Sequence, residues 1–92
     1  MFVLLDVSTS MPVLVKYDNS VVYLPVFESK SSAEEAARNL ARSKSESVVA
    51  QNATAHPSEF SWSSFRTWHQ QNKKRGIMLF VYPMSPADFG AS

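Results

Sequence analysis

Two short segments of this chain carry no charged residue on either of their faces, and that restricts its architecture more than anything else in the sequence. In Val21–Phe27, residues Val22, Leu24 and Val26 alternate with Val21, Tyr23 and Phe27. In Ile77–Tyr82, residues Met78, Phe80 and Tyr82 alternate with Ile77, Leu79 and Val81. Successive side chains of a strand point to opposite faces, and a strand with one wet face alternates apolar with polar. These two do not, so both of their faces call for cover. Each large apolar side chain left bare forfeits about 1.5–3 kcal/mol of burial, and a contiguous bare face exceeds the patches common on monomers. Either helices lie on opposite faces of the sheet, or one face packs on a second subunit or another partner.

The rest of the chain reads as a single domain over residues 1–92, with a folded core over 1–83 and a tail over 84–92. Its 92 residues are too few to bury two cores. Phe2–Val7 and Val13–Tyr17 are predicted strands, separated by Ser8-Thr9-Ser10. Asp18-Asn19-Ser20 then turns the chain into Val21–Phe27, an antiparallel hairpin signal. Pro25 lacks an N–H, which predicts an edge strand or a bulge near it.

A helix follows. Ser32 with Glu35, or Ser31 with Glu34, forms a Ser-x-x-Glu capping box. Ala33, Ala36, Ala37, Leu40 and Ala41 make an apolar stripe narrow enough for close approach to a sheet. Ser43–Ser47 is a polar connector, Val48–Ala50 a short buried strand, and Gln51–Pro57 a loop. A second helix starts near Ser58 or Ser61 and runs to about Lys74, with Gly76 placed for the left-handed position after it. The order is β-β-β-α-β-α-β, or one strand fewer if the first two merge. It predicts an α+β fold, a two-layer sandwich with a mixed sheet of four or five strands and two helices.

Composition removes most chemistry. There is no cysteine, hence no disulfide scaffold, thiol nucleophile or thiolate metal ligand. Two glycines leave no phosphate-cradling loop. Nine basic against eight acidic residues give a net charge of +1 and no global field for nucleic acid or membrane. Fifteen serines make some Ser/His/Asp combination inevitable and therefore uninformative, and no Gly-x-Ser-x-Gly elbow is present. His56 and His69 are thirteen residues apart with only Glu59 nearby, and Glu34 and Glu35 point about 100° apart on a helix. The expectation is a non-enzymatic protein without metal or cofactor. Asn52-Ala53-Thr54 matches a glycosylation sequon by chance. Met1–Leu5 is stopped by Asp6, too short for a signal sequence or a membrane span. A cytoplasmic protein is expected.

The second helix is the most distinctive surface candidate. Trp62, Arg66, Trp68, His69, Lys73, Lys74 and Arg75 combine aromatic and basic groups around Phe65, as hot spots and phosphate-binding surfaces do. Trp62 and Trp68 fall about 120° apart on a helix, so both cannot easily point inward. The bland alternative makes the aromatics core and the basic residues a complement to the helix dipole. Tyr23, Phe80 and Tyr82 complete the candidate partner-binding set, on the sheet.

Val22-Tyr23-Leu24-Pro25-Val26-Phe27-Glu28-Ser29, followed by an Ala-rich helix and closed by Val81-Tyr82-Pro83, resembles the N-terminal domain of SseB-type proteins. Phe2-Val3-Leu4-Leu5, a hairpin, then Phe27-Glu28 and the same helix also resemble a small uncharacterised αβ domain of cyanobacteria and chloroplasts. Both resemblances imply a non-enzymatic αβ module and supply no catalytic residue. The leading expectation is a protein-binding or regulatory module: a complex subunit, an oligomer, or a phage-type inhibitor of a host machine. The alternative is a nucleic-acid or phosphate-ligand binder using the second helix. A third class, a dimeric α+β barrel enzyme, requires a pocket holding His69 or Arg66.

Overall fold

A computed structural model of the chain describes residues 1–44, 47–54, 56 and 59–88. Ser45 and Glu46 of the expected connector, Pro57, the expected helix start at Ser58, and tail residues 89–92 lie outside the described residues. The elements are β1 (Phe2–Asp6), β2 (Met11–Pro12), β3 (Val15–Lys16), β4 (Val21–Val26), α1 (Lys30–Lys44), β5 (Val48–Asn52), α2 (Ser63–Lys74) and β6 (Met78–Pro83). The fold is α+β. Its strands form two three-stranded sheets rather than the single sheet expected, ordered β2-β1-β5 and β3-β4-β6.

The division falls at Val13 and Leu14. There the predicted Val13–Tyr17 strand is interrupted, so Met11–Pro12 pairs with β1 while Val15–Lys16 pairs with β4. One chain segment thus feeds both sheets. The Val13 amide still donates to the Leu4 carbonyl at 2.7 Å. Phe2 and Phe27 exchange two backbone hydrogen bonds, at 2.9 and 2.8 Å, and tie the sheets together at a second point.

Local turn chemistry shapes the hairpins. The Asp18 side chain accepts from the Ser20 amide at 2.8 Å and from its hydroxyl, building the expected turn into β4. Asp6 does the same for Ser8, which ends β1 one residue before the predicted Val7. Ser10 completes that turn with φ of 57°. Pro25 sits in the middle strand of its sheet, not at an edge. It is tolerated because β3 reaches only Val22 and Tyr23, so β4 beyond Tyr23 has β6 alone as a ladder partner.

The first helix begins earlier than its Ser-x-x-Glu signals suggest. The Ser29 hydroxyl accepts from the Ser32 amide at 3.2 Å and caps the helix, because Phe27 is still held in the sheet and the chain leaves it directly afterwards. Ala33, Ala36 and Leu40 are buried against Leu4 and Phe27, whereas Ala41, the end of the expected stripe, is exposed. β5 is longer and less buried than expected. It runs antiparallel to β1 as an edge strand, with Val49 exposed. The crossover rule anticipates a parallel partner; the chain instead changes sheets through α1, and the parallel pair is β4 with β6.

The second helix starts at Ser63, with Trp62 as its cap residue. It ends as predicted. Gly76 takes φ of 79°, its amide donates to the Lys73 carbonyl, and the Ile77 amide donates to the Asn72 carbonyl, a Schellman arrangement. Past Pro83 the chain stays docked: Met84 packs on the α1 core and the Asn39 side chain donates to the Pro86 carbonyl at 3.0 Å. The folded region therefore extends into the segment expected as tail.

Candidate functional site

Each helix packs on its own core cluster, and each cluster draws residues from both sheets or their ends. α1 and the β1 face form a core around Leu4, Phe27, Ala33, Ala36 and Leu40. Phe65 of α2 and the preceding Phe60 form the second core with Val3 of β1 and with Leu24 and Val26 of β4, and Leu79 and Val81 pack against it. In β4 and β6 this uses up the face that carries Leu24, Val26, Leu79 and Val81.

The register then determines what the opposite face presents. Val21 pairs with Met78, Tyr23 with Phe80 and Pro25 with Tyr82 across β4 and β6, while Val15 of β3 pairs with Tyr23. Tyr17 follows two residues later on the same face. Met78 is 56%, Phe80 43% and Tyr82 48% exposed, with Tyr17 at 67% and Val15 at 36%. Tyr23 lies at the centre, half-buried, with ring centroids 5.4 Å from Tyr17, 5.2 Å from Tyr82 and 6.4 Å from Phe80. These tilted aromatic contacts run diagonally from the hairpin end of β3 to the far end of β6. They pre-order a surface of tyrosines, a phenylalanine, a methionine and two valines that bears no formal charge. Lys16 points to the other face by alternation.

The ten residues predicted to bind a partner therefore separate into two groups. Tyr23, Phe80 and Tyr82 come together on the uncovered face. The α2 group is split differently. Phe65 is fully buried, and Trp62, Trp68 and His69 are half-buried around it and around Phe60. Phe60 meets Trp62 edge-on at 4.9 Å, and Phe65 stacks with Trp68 at 5.9 Å and with His69 at 5.7 Å. Both tryptophans reach the core. Trp62 precedes the helix in an extended conformation, so the 100° step that set it apart from Trp68 does not apply to it. Arg66, Lys73, Lys74 and Arg75 are exposed.

Tyr17, Val15 and Met78 belong to the uncovered face and were missing from the predicted set. Their signal was available in the alternation with Tyr23 and Phe80, but it needed the pairing register to be read.

A groove of about 550 Å³ brings Trp68, Asn72 and Arg75 of the α2 end beside Lys16 and Asp18 of the hairpin. It holds two cations and one carboxylate. Hydrogen bonds from the Ser20 amide, and then from its hydroxyl, hold the Asp18 carboxyl below its ordinary range and keep it anionic. The α2 carbonyls end at the same place, which disfavours an anion. Among the described residues no group of three or more His, Asp or Glu side chains is placed to hold a metal ion. No helix among them is long and apolar enough to cross a membrane.

No family model, curated protein or solved structure matches the chain.

Proposed function

We propose that this protein is a non-enzymatic protein-binding module, a regulator or complex subunit, whose working surface is the uncovered face of the β3-β4-β6 sheet. One observation carries the reading. An uncharged, aromatic-rich region lies exposed on strands whose opposite face packs on the core through Leu24, Val26, Leu79 and Val81. Tyrosine, phenylalanine and methionine are enriched at interfaces, and large contiguous apolar patches mark them. The α2 core takes the Leu24 and Val26 face, and the α1 core takes Phe27 at the end of the other, beside the buried Pro25. The exposure that remains at Tyr17, Met78, Phe80 and Tyr82 favours the partner alternative.

Capture experiments test it. The immobilised protein is compared with Phe80→Glu and with Lys73→Ala/Lys74→Ala/Arg75→Ala, and retained components are quantified. The reading expects partners to be lost with the face variant and kept with the basic one. The reverse pattern, with retained polynucleotide that dissociates steeply as salt rises, supports instead the reading that the Trp68, Lys16 and Arg75 groove binds nucleic acid or a phosphate ligand.

A further inference from the structure

We infer that the occupant of the uncovered face is a second copy of this chain, packed face to face; the inference rests on the interaction reading above and names its partner. Three features of the face point to a self-contact. A two-fold contact places the same patch on itself, so a patch without charges buries no ion against its copy. This face carries no charge. Its only polar side-chain atoms are the hydroxyls of Tyr17, Tyr23 and Tyr82, each able to donate and to accept, so they can pair with those of the copy.

The area is also sufficient. The exposures of Val15, Tyr17, Met78, Phe80 and Tyr82 range from 36% to 67%. With aromatic side chains of about 150–250 Å² each, the face offers on the order of 500 Å². Two such faces bury about 1,000 Å², the lower bound for a specific interface. Packed as two sheets about 10 Å apart, they form a small β-sandwich whose interior is the aromatic diagonal.

The geometry excludes the other simple self-pairing as a solution to burial. β6 is an edge strand, but joining two β6 edges extends the sheet and leaves both aromatic faces on its surface. Of the two self-pairings, face-to-face packing is the one that removes them from water.

Sedimentation equilibrium over about 1 to 200 µM, a span suited to a contact of this size, tests the inference. The wild type is expected to shift from monomer to dimer. Phe80→Glu, confirmed as folded by circular dichroism, puts two carboxylates into the contact and weakens dimerisation more than about tenfold. Tyr82→Lys, at the rim, serves the same purpose should Phe80→Glu fail to fold. Lys73→Ala/Lys74→Ala is expected to dimerise as the wild type does. A dimer that survives both face substitutions overturns face-to-face packing. A monomer throughout overturns self-association, and capture then separates the two ideas: if Phe80→Glu still loses its partners the interaction reading stands, and if it keeps them that reading falls too.

Discussion

Phe65 and Phe80 lie on opposite sides of one sheet, and shortening each isolates what its side contributes. Phe65 is fully buried and its ring meets Phe60 at 5.1 Å, Trp68 at 5.9 Å and His69 at 5.7 Å. Phe65→Ala removes the centre of that cluster and leaves a cavity, for a cost of about 3–5 kcal/mol. A domain of this size has only about 5–14 kcal/mol in total, at about 0.05–0.15 kcal/mol per residue. The substitution therefore takes a large fraction of the stability. Phe80 is 43% exposed, with Tyr23 at 6.4 Å as its nearest aromatic neighbour across the strand pair. Phe80→Thr keeps β propensity and is expected to cost about 1 kcal/mol or less. Urea denaturation followed by Trp62 and Trp68 fluorescence reads both changes. Dilute protein is needed, because any association that favours the folded state adds apparent stability. Equal losses at the two positions, or a larger loss at Phe80, refute the division into a core face and a contact face.

Two left-handed residues make an opposed pair. No heavy atom lies within 4 Å of a Cβ added to Gly76, so Gly76→Ala costs only the backbone penalty, about 1 kcal/mol, in thermal or urea unfolding. Ser10→Gly, at φ of 57°, removes a penalty of the same kind and is expected to raise stability by up to about 1 kcal/mol. Ser29→Ala removes the α1 cap and is expected to cost about 0.5–2 kcal/mol, with faster amide exchange confined to the first turn. Hydrogen bonds from the Ser8 hydroxyl and amide lower the Asp6 carboxyl, as those from Ser20 lower Asp18. A depressed folded value stabilises above the ordinary aspartate value of 3.8 and is lost as pH falls through the folded value. Asp6→Asn/Asp18→Asn should therefore lower the neutral plateau of the stability–pH curve towards its acid value and flatten the acid limb; an unchanged acid limb contradicts the turn geometry.

The elements were legible where one local signal decides them. Asp18-Asn19-Ser20 makes its turn through a side chain two residues from its target, and Gly76 takes the one position that needs a left-handed residue. The uncharged faces of β4 and β6 announced themselves through period-two alternation. Long-range choices were not legible. Val13 and Leu14 carry neither glycine nor a turn residue, yet the strand divides there because its two ends pair with different partners. Ser29, Ser31 and Ser32 are near-equivalent cap signals; the Phe2–Phe27 bridge selects Ser29 by holding the chain in the sheet until Phe27. Trp62 was placed on a helix by its spacing, and its extended backbone returns it to the core. The α2 aromatics thus belong mainly to the core, and the working surface moves to the sheet.

Methionine oxidation tests the central claim most directly, because the chain places Met78 on the uncovered face and two others, Met11 and Met84, in packed positions. Met78 is 56% exposed and belongs to the face, whereas Met11 and Met84 are half-buried against the two cores. In sub-micromolar protein treated with peroxide, mass spectrometry of each methionine should find Met78 converted well ahead of Met11 and Met84, and its lead should shrink as the concentration rises and the face is occupied. If Met78 is instead the slowest of the three in dilute protein, the face is already covered within the single chain, and the account of a bare contact surface is wrong.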